Sequence, residues 1–257
     1  MRPDRQFRWE SRQAMCLIAM LWRCVDDAPL IVAANREEAY DRPATPPQLV
    51  ADSGRFVAGI DRLANGTWLG VNQCGIMIAV TNLDKHDKPA HPRSRGLLAR
   101  QLLAARSAQE AVEWAVREVR SQAYDGCNLV IADGRDLIAV QAGDWLQVLP
   151  LPTGHHVVAN RTRPNDEANP RIQFTHAWLA AQPCTTAEQW LQTLPNLCRH
   201  AGDRDSPPIC VRGRDRGTVS SSIILLQSPV AQSQWHHSQG PPDRTPYQDF
   251  SHLLGQL

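Results

Sequence analysis

The chain has 257 residues, 42% of them hydrophobic and 21% charged, which is the balance of an ordinary globular protein. Its formal net charge of +1 gives no electrostatic drive toward nucleic acid or an anionic surface. No apolar run approaches the roughly 20 residues that a membrane helix needs, so stable membrane insertion is not expected.

Residues 1–14 lack the apolar stretch of a secretory signal, and Asp4 and Glu10 do not suit a mitochondrial presequence. Met15-Cys16-Leu17-Ile18 then opens an apolar run directly behind a methionine. Residues 1–14 are therefore expected to be a disordered or misassigned extension, with translation starting at Met15 and a single domain over 15–257. Residues 16–24 and 29–34 read as strands joined at Asp26-Asp27-Ala28 into a hairpin. The proline-bearing stretch 35–55 reads as a loop. Residues 67–71 and 76–81 form a second hairpin around Asn72-Gln73-Cys74-Gly75. A charged loop over 84–93 precedes a helix over 94–105. Ser107 and Glu110 have the spacing of a capping box that opens another helix, with Val112, Val116 and Val119 on one face. Four short strands follow at 127–132, 137–141, 145–149 and 155–159. Helical composition returns over 169–197, broken at Pro183 and reopened by Thr185 and Glu188. Strands are predicted at 208–212, 218–226 and 231–235, and 238–257 reads as loosely ordered. Meandering hairpins with segregated helices imply antiparallel sheets under outer helical layers. A four-layer α-β-β-α sandwich meets this pattern and so does a single α+β sheet; periodicity does not choose between them.

The seven cysteines are odd in number, and none sits in a Cys-x-x-Cys pair, so zinc and thioredoxin-type chemistry find no support. Most lie in apolar runs, where a free cysteine acts as a small hydrophobe. Count and context suggest a reducing compartment, hence the cytoplasm. Cys16 stands apart at the head of the first strand. If Met15 is removed, Cys16 carries both a thiol and an α-amine whose pKa near 8 leaves part of it neutral. That amine can take the thiol proton and later deliver it to a leaving group. Asn35-Arg36-Glu37-Glu38 ends the second strand, and antiparallel pairing brings that end toward Cys16. Arg36 is then expected to ionise the thiol partly, with Glu38 or Glu37 holding the α-ammonium.

Met15-Cys16-Leu17-Ile18, Ala34-Asn35-Arg36-Glu37-Glu38 and Arg42-Pro43 together resemble the start of the NRDE family, also called the Transport and Golgi Organization 2 family. Further blocks match in order: Ala58-Gly59-Ile60-Asp61, Asn65-Gly66-Thr67-Trp68-Leu69-Gly70-Val71, Thr81-Asn82, Ser94-Arg95-Gly96, Tyr124-Asp125-Gly126-Cys127-Asn128-Leu129, Ala159-Asn160, Pro208-Ile209-Cys210-Val211 and Gly217-Thr218-Val219-Ser220-Ser221-Ser222. Three positions depart from the family pattern. Glu37 replaces the tetrad's Asp, Val219 replaces an Arg, and Asn65 replaces a glycine where Asn tolerates a left-handed backbone. The resemblance implies an α+β, four-layer α-β-β-α sandwich of antiparallel sheets, like that of N-terminal-nucleophile (Ntn) hydrolases. It further implies a catalytic set of Cys16, Arg36, Glu38, Asn82 and Asn160, with the two asparagines as oxyanion donors. The expected activity is a cysteine amidohydrolase acting on a small acyl amide or thioester and requiring no cofactor. The alternative is a non-catalytic carrier of haem or a lipid-like ligand in the same cleft.

Overall fold

The computed structural model describes residues 16–52, 54–121 and 123–257. The expected extension over 1–14 and the Met15 start lie outside the described residues. β1 (Leu17–Val25) and β2 (Ala28–Ala39) pair antiparallel, with Leu17 opposite Asn35 and Leu21 opposite Ile31. Alternation sends Leu17, Ala19 and Ala33 into one core and Ile18, Met20 and Val32 into another. Both faces of this hairpin are buried, which is why its strands read as unbroken apolar runs.

The chain continues through β3 (Gln48–Ala51), β4 (Arg55–Ala58), β5 (Leu69–Asn72), β6 (Met77–Asn82), α1 (Arg95–Leu102) and α2 (Ala108–Arg120). Next come β7 (Cys127–Ala132), β8 (Leu137–Ala142), β9 (Leu146–Pro150), β10 (Gly154–Ala159), α3 (Pro170–Ala180) and α4 (Ala187–Arg199). β11 (Arg216–Leu226), β12 (Gln234–Ser238), β13 (Gln248–Asp249) and α5 (Ser251–Leu254) complete it. Among the described residues one sheet runs β10-β1-β2-β11-β12-β13 and the other β3-β4-β5-β6-β7-β8-β9. Neighbouring strands in both are antiparallel.

Three buried cores fix the layering. Ile172 and Leu179 of α3 and Trp190 and Leu194 of α4 pack on Leu17, Ile31 and Ile223. Met20, Val32, Val71, Met77 and Ile224 fill the space between the sheets. Leu98 and Leu102 of α1 and Ala111 and Ala115 of α2 pack on Ile78, Leu129 and Val140. Burying each such large aliphatic side chain contributes about 1.5–3 kcal/mol, so the three interfaces determine the architecture. The result is the four-layer α-β-β-α sandwich rather than a single sheet.

Several local expectations shift. β2 runs on to Ala39 because the backbone of 36–39 pairs with β11. β3 and β4 form a hairpin inside and just beyond the stretch expected as loop. Residues 208–212 are not a strand: the amides of Ile209 and Cys210 both donate to the His200 carbonyl, at 2.8 and 2.7 Å. The second capping box is displaced by one residue, to Thr186 and Gln189. Residues 238–257 are ordered onto the sandwich, with Leu254 fully buried and Tyr247 sharing a 2.6 Å hydrogen bond with Ser221.

Candidate active site

The tetrad divides between the two faces of β2. Asn35 and Glu37 point toward α3 and α4, whereas Arg36 and Glu38 face a cavity at the edge of the inter-sheet space. The Asn35 amide donates to the carbonyls of Cys198 and Ile209, at 2.9 and 3.0 Å. The Glu37 side chain is wholly buried, and its Oε1 accepts from Arg171 at 3.4 Å and from the Thr218 hydroxyl at 3.1 Å. Among the described residues its Oε2 has no hydrogen-bond partner. Burial raises the Glu37 pKa, with Arg171 and Thr218 opposing. Val219, where the family carries Arg, is skipped by the β2–β11 register. Thr218 thereby lies opposite Glu37 and Ser220 opposite Arg36.

On the cavity side, Cys16 precedes β1 and its carbonyl accepts from the Asn160 amide at 3.0 Å. Its sulfur lies 3.3 Å from the Glu37 backbone nitrogen, which donates to it. Arg36 is buried, its guanidinium 4.4 Å above the Trp68 ring and 4.0 Å from Glu38. Glu38 is shared with Arg42 at 3.5 Å and Arg216 at 3.3 Å. Arg42 grips Asp61 through Nη2 at 2.6 Å and Nε at 2.8 Å. Burial pushes Asp61 up, but Arg42 and the amides of Leu63 and Ala64 hold its carboxyl below the usual range.

The asparagines close the cavity from the other side. The Asn82 backbone amide donates to Asn160 Oδ1 at 2.8 Å, and the Arg161 amide donates to the Asn82 carbonyl at 2.6 Å. These bonds tie the end of β6 to the end of β10 and join the two sheets at the site. Asn160 is 5% exposed, and its Nδ2 makes no hydrogen bond among the described residues. Asn82 is exposed. Cys16, Arg36, Glu38, Asn82 and Asn160 all line one cavity of about 480 Å³. A depression of about 570 Å³ beside it, around His86 and Trp145, holds none of them.

The thiol differs from expectation. Burial first, and the charge of Glu37 second, raise its pKa; the Glu37 amide and Arg36 pull it down without prevailing. Within this chain the thiol is therefore protonated at neutral pH, and Arg36 alone does not ionise it. Nor does Glu37 face the site with its carboxyl, which leaves Glu38 as the acid beside Arg36.

Sequence reasoning missed four supporting residues. Arg171 clamps Glu37 and the carbonyls of Pro208 and Ile209, at 2.9 and 3.1 Å. It is set by Asn169, which caps α3 by accepting from the Arg171 and Ile172 amides, with Pro170 opening the helix. The Asn-Pro-Arg run was the available signal. Asn128 donates to Thr81 Oγ1 at 3.2 Å and to the Thr162 carbonyl at 2.9 Å, bracing both asparagine-bearing strand ends. Arg42 and Asp61 were visible as motif residues without a role. Gly59 leaves room for Trp68: a Cβ there would lie 2.7 Å from the ring. Gly66 and Gly96 approach so closely that a Cβ on Gly66 would collide with the backbone of Gly96. Asn65 takes the left-handed conformation, φ 56°.

Two antiparallel sheets between helical layers are the architecture of Ntn-hydrolase-fold acylases. An N-acylethanolamine-hydrolyzing acid amidase ortholog from Caenorhabditis elegans superposes with a TM-score of 0.58 at 14% identity, over 82% of this chain and 92% of that one. Penicillin V acylase from Agrobacterium tumefaciens gives 0.56 at 12% identity, over 93% and 87%. A sequence profile for Transport and Golgi organisation 2 matches residues 15–229, and the chain belongs to that family. The Transport and Golgi organization protein 2 homolog of Bos taurus is 31% identical over 240 residues, 77% of this chain and 82% of its own length.

Proposed function

We propose that the chain is a cysteine Ntn amidohydrolase that cleaves a small acyl amide or thioester. The observation that carries this reading is the Cys16 sulfur in one cavity with Arg36, Glu38, Asn82 and Asn160. The mechanism requires a mature chain beginning at Cys16. Its α-amine then takes the thiol proton, which answers the raised thiol pKa, because deprotonation accompanies attack instead of preceding it. Sulfur bonds to the carbonyl carbon, and the carbonyl oxygen becomes an oxyanion received by Asn160 Nδ2 and Asn82. The C–N bond breaks as the α-ammonium returns its proton to the leaving amine; a thioester substrate would release a thiol instead. Water, deprotonated by the same amine, then attacks the acyl-sulfur bond and frees the acid and the thiol. Arg36 and Glu38 orient the amine end of Cys16, and no step calls for a cofactor. The solved acylases of similar fold support acyl amides as the substrate class.

The raised thiol pKa also favours a second reading, a carrier of haem or a lipid-like ligand, since a carrier needs no ionised thiol. The lining argues against that reading. Among the described residues it holds no histidine to ligate haem iron, and its large apolar groups are Trp68, Val80 and Pro92. A cytoplasmic location belongs to the same proposal and accords with seven unpaired cysteines. The described residues include no helix long and apolar enough to cross a membrane.

Intact mass of the native protein, before and after a panel of acyl amides and thioesters, tests the proposal. The expected result is a chain starting at Cys16 that gains one acyl mass, and a Cys16→Ala variant that gains none. A native chain retaining residues 1–15, with no adduct from any substrate, would sink it; saturable haem binding by that chain would favour the carrier.

A further inference from the structure

The charges around the cavity do not balance. Five guanidiniums line it: Arg36, Arg42, Arg93, Arg95 and Arg216. Four acidic residues also line it, but the Glu37 carboxyl is committed to Arg171 and Thr218 on the far side of β2. That leaves Glu38, Asp61 and Asp125. Asp61 is taken up by Arg42. Glu38 has to serve Arg36, Arg42 and Arg216 together, at 4.0, 3.5 and 3.3 Å. Asp125 lies 3.9 Å from Arg95 and is shared with Lys88 at 3.4 Å. Arg93 has Glu118 at 2.9 Å. Counting Lys88 and Glu118, six cations face four carboxylates.

Arg36 lies against the Trp68 ring, which leaves Arg95, with no carboxylate closer than 3.9 Å, and Arg216, which holds only a share of Glu38 at 3.3 Å, to meet an incoming anion. Arg95 is held by a 2.8 Å bond to the neutral carbonyl of Gly126, and it opens α1, whose first turn carries no acidic residue. That helix end adds partial positive charge of its own. Asn160 offers to the same cavity a buried amide whose nitrogen makes no hydrogen bond among the described residues. The low-dielectric walls of a cleft focus the field of surplus charge inside it onto whatever enters, an effect that added salt weakens.

We infer that the cavity selects acyl substrates bearing an oxyanion, a carboxylate, sulfonate or phosphate, with Arg95 and Arg216 supplying the charge that receives it. This rests on Cys16 as the reacting group, and the test separates the two. Iodoacetate and iodoacetamide deliver the same chemistry with and without a negative charge. Their rates at Cys16 are measured on the full folded chain by peptide mass spectrometry and divided by the rates for the same chain unfolded in urea. Exposed Cys74 provides an internal reference.

The expected result is an iodoacetate-to-iodoacetamide ratio at Cys16 at least about tenfold above the unfolded reference, falling with added salt. The ratio should drop to the reference in Arg95→Gln and Arg216→Gln; the latter residue is half exposed, so its replacement is expected to leave the fold in place. Alkylation by both reagents at the unfolded ratio would overturn the anion inference and leave Cys16 as nucleophile. Failure of both reagents to modify Cys16 would count against the nucleophile instead. Charge selection is then read by thermal shift with inorganic phosphate and acetate against chloride at equal ionic strength. A shift in the wild type that Arg216→Gln removes supports it and distinguishes the two anions; no shift with either overturns it.

Discussion

The two faces of β2 carry the same kinds of residue to opposite ends. Asn35 and Glu37 face the α3–α4 layer with all or nearly all their polar surface inside the protein. Arg36 and Glu38, one residue out of phase, face a cavity and share their charges with Arg42, Asp61 and Arg216. On the helix face the Asn35 amide nitrogen and Glu37 Oε1 have fixed partners and little access to water. On the cavity face three guanidiniums compete for one carboxylate. A tetrad that looks like one functional motif is thus half brace and half site, and the period of two along a strand makes the division.

If the division holds, the largest effect on stability comes from the helix face. Arg171→Ala leaves Glu37 buried without its counter-charge and frees the carbonyls of Pro208 and Ile209. The expected loss is about 3–5 kcal/mol by denaturant unfolding, because breaking a buried pair strands its partner. Arg36→Met, on the cavity face, should cost far less stability. Equal losses from the two would erase the distinction. Next, Asn160→Ala should lower turnover of an acyl substrate about 10²–10³-fold while leaving the fold in place, the range for removing one oxyanion donor. A variant that keeps full turnover would assign Asn160 to bracing Asn82 alone. A smaller effect is expected at Gly59→Ala. Its Cβ meets the Trp68 ring at 2.7 Å and the Thr45 carbonyl at 2.9 Å, so the ring must move from beneath Arg36. Overpacking of this kind costs about 1–3 kcal/mol, and a change in Trp68 fluorescence would track the displacement. An unaltered spectrum and Tm would mean that the cavity wall yields freely.

What was legible in the sequence follows the same physics. Strands buried on both faces, such as β1 and β7, declared themselves by unbroken apolar runs, and both resided where expected. Ser107 marked the start of α2 correctly, since its side chain accepts from the Glu110 amide. The stretch 36–39 did not read as strand because its charged side chains hide a backbone that pairs with β11, a partner far along the chain that sets Gly217 opposite Glu38 and Arg216 opposite Ala39. Residues 208–212 misled in the reverse sense: they are apolar enough for a strand, but their backbone is held by His200, Arg171 and Asn35. Cys16, Arg36, Glu38, Asn82 and Asn160 were nameable from motif order. Arg171 was not, because an arginine in a first helical turn ordinarily faces solvent. The thiol's proton affinity was also out of reach, since it depends on burial that no local pattern records.

The finest test uses two buried titratable groups with opposite signs. Glu37 faces the helices, and its raised pKa means that the folded chain keeps a proton which the unfolded chain has already lost. Stability from this source is therefore greatest at low pH and declines as pH rises from the unfolded value through the raised native one. His237 lies on the other face of the same sheet, 1% exposed. Its Nδ1 is 2.9 Å from the Ser222 hydroxyl, and its Nε2 is 2.8 Å from the Gln239 side-chain oxygen. Burial pushes its pKa down to about 4, with the Gln239 bond opposing. Here the unfolded chain takes the proton first, so stability increases with pH between about 4 and the ordinary histidine value near 6.5. In the wild type the two contributions offset each other over the shared window, and the profile should be nearly flat there. Each group alone contributes a slope of at most about 1.4 kcal/mol per pH unit. His237→Gln should therefore expose a stability that falls with rising pH, and Glu37→Gln one that rises, whatever their absolute losses. Urea unfolding from pH 4 to 7 measures both slopes. Slopes of the same sign in the two variants would show that one of these groups titrates as it does in water, and the assignment of Glu37 to a closed, water-poor brace would be the first to fall.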